Sequence, residues 1–279
     1  MYWWRTVLDP DSVELEFLRR HDVRRAYVRF FDVVPVGNRP VPDASLTVKG
    51  SLLVEELVPT VFITQEAMKL MAGREREWAG KLVRRVLNMA SYNELPEVRE
   101  IQLDCDWTRT TQDGFFALCQ AVGDSLRRFE PSALVSSTIR LHQLRGEAPP
   151  VDYGVLMLYN TGSFKNPEED NSILSPVAVK PYLKYLTPYS LHLDIAYPTY
   201  EWVVIYDDGR FKGIMRDAPE ELEEGETMRV ENSESMTLRE VKGLVEEQMR
   251  ERPHSNVIYH LDSRNLSNYT SDEIKTLYR

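Results

Sequence analysis

The stretch that decides the fold is Arg99-Glu-Ile-Gln-Leu-Asp-Cys-Asp-Trp-Thr108. It reads as one buried strand that ends in acid. Side chains of a strand alternate between faces, so Ile101, Leu103 and Cys105 share one face and Gln102, Asp104 and Asp106 the other. The apolar face suits contact with covering helices, and the opposite face grows more acidic towards the C-terminal end. That pattern fits a strand of a (β/α)₈ barrel, a fold that carries its chemistry at the C-terminal ends of the strands. Two carboxylates two residues apart on one face repel each other, so at least one is expected to hold its proton more tightly than usual. An Asp pair held by Arg or backbone donors for structural reasons is the plainer alternative. Inward acids at a strand end are costly without a use, which favours a functional role.

The rest of the chain repeats the alternation. Strand patterns cover residues 2–8, 25–34, 58–64, 99–108, 134–144, 155–159, 191–197 and 257–261. Helical patterns cover residues 12–21, 66–73, 74–92, 110–129, 177–186, 237–252 and 271–278. Strands alternating with helices predict a parallel sheet, and their number predicts closure into one barrel spanning residues 1–279. Residues 35–42 read as a loop rich in Pro and Gly, and residues 161–175 as a polar loop over the site. Between the seventh and eighth strands, Asp207-Asp208-Gly209 joins two apolar runs and signals a β-hairpin. Residues 217–234 are acidic and read as a solvated excursion, so residues 200–235 form an insertion within the barrel.

The chain has 279 residues and a formal net charge of -10. A (β/α)₈ barrel of ~250 residues fits that length. The acidic balance argues against a nucleic-acid backbone or an anionic membrane as main partner. No apolar run is long enough to span a bilayer. No signal peptide pattern opens the chain. The compartment is therefore open: extracytoplasmic if an export signal has been removed, cytoplasmic otherwise. The two cysteines, Cys105 and Cys119, read as buried free thiols.

Other polar residues gather near strand ends. Asp32, Asp194 and Asp262 are each able to complete a carboxylate pair with Asp106, though for each alone a capping or salt-bridge role is the favoured reading. Arg29 and Arg140 are expected to point inward and neutralise Asp104. On the fifth strand Ser136, Thr138, Arg140 and His142 are expected on one face. His142, His192 and His260 lie in or beside strands, yet no His-x-His or His-x-x-x-His spacing occurs. No metal and no cofactor is expected on that ground. Trp3, Trp4, Tyr159, Tyr197 and Trp107 are candidates to floor a sugar-binding cleft, with a plain core role as the alternative, favoured for Trp3.

Four stretches together resemble glycoside hydrolase family 18, the chitinases and their relatives. Leu103-Asp-Cys-Asp-Trp-Thr108 resembles that family's Asp-x-Asp-x-Glu motif. Residues 134–139 look like its next barrel strand. Met157-Leu-Tyr-Asn160 is similar to its Met-x-Tyr-Asp, and residues 191–198 resemble its Gly-Leu-Pro-type strand. Family members often carry an insertion between strands seven and eight, where the hairpin falls here. The resemblance implies a glycan as ligand, two Asp that orient it, and a Glu as general acid. At the position of that Glu stands Thr108. The resemblance thus carries Asp104, Asp106, Tyr159 and Asn160 (where the family has Asp) but not the acid. The expected site has Asp104 and Asp106 as catalytic pair, with Trp4, Asp32, Arg140, His142, Tyr159, Asn160 and Asp194 contacting a glycan or other small polar ligand. A glycoside hydrolase with Asp106 as acid, a glycan-binding barrel without catalysis and a metal-dependent hydrolase remain as readings.

Overall fold

The structure, a computed structural model, describes residues 1–278. Eight strands make its main sheet in chain order: Tyr2–Trp3, Arg25–Val36, Glu56–Ile63, Glu100–Asp104, Leu134–Arg140, Tyr153–Met157, Leu193–Pro198 and Asn256–Tyr259. They are called the first to eighth strands here. Pairing is parallel from the first through the fifth and again between the seventh and eighth. Each strand is a neighbour of the next in sequence, which is the order of a (β/α)₈ barrel.

The chain divides into two compact units. Unit one holds Met1–Leu156 and Tyr189–Asp194; unit two holds Met157–Pro188 with Ile195 onward. In unit one the covering helices bury one stripe each. Glu75–Tyr92 turns Trp78, Leu82, Val83 and Val86 inward, and Gln112–Leu126 turns Phe115, Leu118, Cys119 and Val122 inward. Ser12–Arg20 starts at a capping box: Asp11 accepts from Val13 N and Glu14 N, and Glu14 reaches back to Asp11 N. Cys105 and Cys119 are buried free thiols.

Several boundaries differ from the sequence reading. Residues 35–42 are not a loop. Arg39–Asp43 folds back as an antiparallel edge strand on the second strand, with Pro40 opposite Pro35 and Pro42 opposite Val33. An edge strand tolerates Pro because one row of its N–H groups faces away from the ladder. Val7–Leu8 leaves the first strand and pairs with Thr47–Val48. The fifth strand ends at Arg140 and passes into a 3₁₀ turn, Leu141–Arg145.

In unit two, Trp202–Asp207 and Arg210–Met215 pair antiparallel around Asp208 (φ 46°) and Gly209 (φ 72°). Two successive positive φ angles belong to a type I′ turn. The acidic segment is not only a solvated excursion. Its residues Glu226–Glu231 form a third strand on the other side of Trp202–Asp207. Helix Ser235–Met249 follows, burying Leu238, Val241, Val245 and Met249.

Candidate functional site

The fourth strand positions the site. Its inward side chains, Glu100, Gln102 and Asp104, are all buried, and each finds partners on neighbouring strands of unit one. Glu100 Oε1 accepts from Ser136 Oγ at 2.5 Å and from Tyr153 OH at 2.6 Å. Gln102 Oε1 accepts from Tyr2 OH at 2.9 Å. Asp104 Oδ1 accepts from Thr138 Oγ1 at 2.5 Å and Arg140 Nη2 at 3.2 Å. Polar groups in a barrel interior are satisfied chiefly by one another, and here other strands of unit one supply a partner at each level, while Glu100 Oε2 has no hydrogen-bond partner among the described residues.

At the C-terminal end the charges converge. The Arg140 guanidinium is shared: its Nη2 reaches Asp104 and its Nε donates to Asp106 Oδ1. Asp104 is 1% exposed, whereas the Asp106 side chain is 48% exposed. Burial pushes the Asp104 carboxyl above its ordinary range, and the charges of Asp106 and Asp32 act in the same direction; Arg140 and the Thr138 bond pull against them. Asp32 sits in a fork of Arg29, whose Nε donates to Oδ1 at 2.8 Å while its Nη2 reaches Oδ2. The same guanidinium lies 5.5 Å from the Trp4 ring centroid and donates to Trp4 O at 3.4 Å. Asp104, Asp106, Arg140, Asp32 and Trp4 thus belong to one end of unit one.

Thr108 lies just beyond this group. Its Oγ1 donates to Gln65 Oε1 at 3.3 Å and lies 3.0 Å from Thr110 Oγ1; its N–H donates to Thr111 Oγ1 at 3.0 Å. Gln65 opens the helix Gln65–Met71, which Thr64 caps through Ala67 N.

Two expected residues do not join this group. His142 is in the 3₁₀ turn, so it no longer shares the face of Thr138 and Arg140. The alternation that placed it there stops where the strand stops. Asp194 is the second residue of the seventh strand and so lies at its N-terminal end. His192 Nε2 is 3.6 Å from it, and its charge is felt by the Met1 amino group and Tyr27. Trp107 is core, packed against Phe115 and Phe116, and Tyr197 is fully buried.

Tyr159 and Asn160 belong to unit two. Tyr159 stacks on Tyr259 at 4.4 Å and meets Tyr200 edge-on at 5.9 Å. Asn160 has φ 51°, a left-handed conformation that Asn tolerates, and its Oδ1 accepts from Tyr200 OH at 2.9 Å. Asp262 caps the short helix Ser263–Leu266 and pairs with Arg216. The buried Glu231 accepts from Ser172 N (2.9 Å), Ser172 Oγ (2.6 Å), Trp202 Nε1 (2.8 Å) and Arg229 Nε (2.7 Å). It fastens the loop after the sixth strand to the inserted sheet.

Thr138 was placed on the face of Arg140 but given no role, and Glu100, Tyr153, Gln65 and Glu231 were not singled out from sequence. Of these four Glu100 alone had a signal: it is in step with Gln102 and Asp104. Among the described residues no group of three or more His, Cys, Asp or Glu side chains is placed to hold a metal ion.

No family model and no curated protein matches the sequence. Solved structures do match. A chitinase from Chromobacterium violaceum is 9% identical, with TM-score 0.62 over 96% of this chain and 98% of that one. The chain has the chitinase-like barrel fold. The spore cortex-lytic enzyme SleL of Bacillus cereus is 13% identical, with TM-score 0.58 over 96% of this chain and 73% of that one. A xylanase and α-amylase inhibitor protein, XAIP-I, solved in complex with trehalose, is 12% identical, with TM-score 0.51 over 99% and 98%. At such identities the likeness is one of fold. Within the chitinase-like barrel the acid position of the resembling motif holds Thr108, and the two Asp before it share one Arg.

Proposed function

We propose that this chain is a carbohydrate-binding barrel whose ligand, a glycan, sits at the C-terminal strand ends beside Asp106, and that it lacks glycosidase-type acid catalysis. The observation that carries this reading is the fate of the carboxyls around Thr108. A general acid must reach the leaving oxygen with a transferable proton. Asp104 has the raised affinity for a proton, but it is buried and bonded inward to Thr138 and Arg140. Asp106 is accessible, but the guanidinium of Arg140 occupies its Oδ1. Thr108 holds no proton it can release near neutral pH. The fold supports the ligand class: one of its structural neighbours is a chitinase, and another was solved with trehalose.

The test sets reducing-end release from a panel of N-acetylglucosamine, glucose and xylose oligomers beside calorimetric binding to the same panel. Wild type and Asp106→Asn are compared. Binding without turnover, weakened in Asp106→Asn, is the expected result. Brisk wild-type turnover abolished by Asp106→Asn makes Asp106 a working acid, and the binding-only reading falls.

A further inference from the structure

The hydrogen bonds around position 108 describe a built arrangement. The third and fourth strands are neighbours, with Phe62 opposite Asp104. Gln65 and Thr108 therefore both sit just past the C-terminal ends of adjacent strands. Gln65 is the first residue of a helix held in place by the Thr64 cap, so its backbone is fixed. Its side chain is partly exposed. Thr110, Thr108 and Gln65 form a row: hydroxyl, hydroxyl, amide oxygen, at 3.0 and 3.3 Å. The backbone of Thr108 is fixed in turn by its N–H bond to Thr111 Oγ1.

A glutamine amide has one acceptor oxygen and two N–H donors. Among the described residues, the oxygen is taken by Thr108 and the two donors go to no protein group. We propose that Gln65 is a ligand-contacting residue of this site, its amide N–H pair presented by Thr108 to an acceptor oxygen of a neutral, polyhydroxylated oligosaccharide. The proposal rests on the carbohydrate-binding reading and names the contact that replaces the acid. An amide donates a hydrogen bond without transferring a proton, so it suits recognition of a hydroxyl or ether oxygen and not cleavage beside it. Thr108 is a positioning residue in this scheme: it orients the amide and acts on the ligand only through Gln65.

The test uses the full chain and three probes: N-acetylchitotetraose, cellotetraose and xylotetraose. Calorimetry on wild type identifies a probe that binds. For that probe, Gln65→Ala and Gln65→Met are each expected to weaken binding about three- to tenfold, the worth of a neutral hydrogen bond. Thr108→Val is expected to weaken it in the wild-type background and to add nothing in the Gln65→Ala background. The side-chain amide resonance of Gln65 is expected to shift on titration. Affinity unchanged in both Gln65 variants, or a Gln65 amide that stays still while other resonances move, overturns the inference and leaves the carbohydrate-binding reading standing. An undiminished effect of Thr108→Val in the Gln65→Ala background also overturns it. Failure of all three probes to bind wild type overturns the reading itself, and the inference with it.

Discussion

Replacing Arg140 by Met keeps about the length of its aliphatic stem and removes the cation that Asp104 and Asp106 share. Breaking a buried pair by deleting one partner costs about 3–5 kcal/mol. The Asp106 half of the pair is nearly half exposed and contributes less than ~1 kcal/mol. Asp104 is fully buried and carries most of the loss. It has an escape, because a desolvated carboxyl can take up a proton. The Asp104 carboxyl is already raised above its unfolded value, and losing Arg140 raises it further. The native state then holds a proton that the unfolded chain, with a carboxyl near ~3.9, releases. Where the native state binds more protons, stability falls as pH rises through that interval. The deficit of Arg140→Met is therefore small near pH 5 and approaches about 2–4 kcal/mol near pH 8. Urea unfolding at both pH values measures it. The Arg140→Met/Asp104→Asn double variant removes the stranded charge and is expected to regain at least half of the loss at pH 8. A deficit equal at the two pH values, together with no rescue by Asp104→Asn, refutes the reasoning.

Three further outcomes follow from the geometry. Glu231→Gln leaves Arg229 without its carboxylate and weakens the hold on Ser172; a loss of about 1.5–3 kcal/mol is expected, with faster amide exchange at Ser172, and exchange there that stays as slow as in wild type contradicts it. Gly154→Ala drives a methyl within 2.9 Å of Ile139 Cγ1 and of Leu193 Cδ2, so overpacking is expected to cost about 1–3 kcal/mol; a thermal midpoint equal to wild type shows that the neighbours yield freely. Thr108→Glu puts a carboxyl where the resembling motif has its acid, but Arg140 still holds Asp104 and Asp106; release of reducing ends from N-acetylglucosamine oligomers is expected to stay at background, and clear turnover would mean that only the acid was lacking.

The barrel was legible because its deciding strand has a strict two-residue rhythm and the helices between strands have wide apolar stripes. The same rhythm placed Asp104 and Arg140 together. It misplaced His142, because alternation carries no information on where a strand stops, and the backbone turned into a 3₁₀ helix one residue earlier. Asp194 shows a related gap: its residue type suggested the site, but its place at the start of a strand put it at the other end. The third inserted strand was hidden by its own charge. Glu226 and Glu231 look solvated in sequence, yet Lys212 of the hairpin meets the first and Arg229 of the same strand the second, and the sequence does not show which charges find partners. Gln65 left no trace, since a lone Gln at a helix start has no pattern to betray it.

The row of Glu100, Gln102 and Asp104 has a consequence for how the chain finds its register while folding. A slip of one residue along the fourth strand would turn these three outward under the covering helices and drive Ile101, Leu103 and Cys105 into a ring of hydroxyls and carboxylates. Every misaligned pairing would thus lose directed bonds as well as burial. An ordinary greasy interior can be refilled in many ways, because volume is its main demand. This one admits few rewrites: combinatorial libraries at positions 100, 102 and 104 should return nearly the starting residues, while libraries at 101 and 103 should return a broad mixture of aliphatic ones.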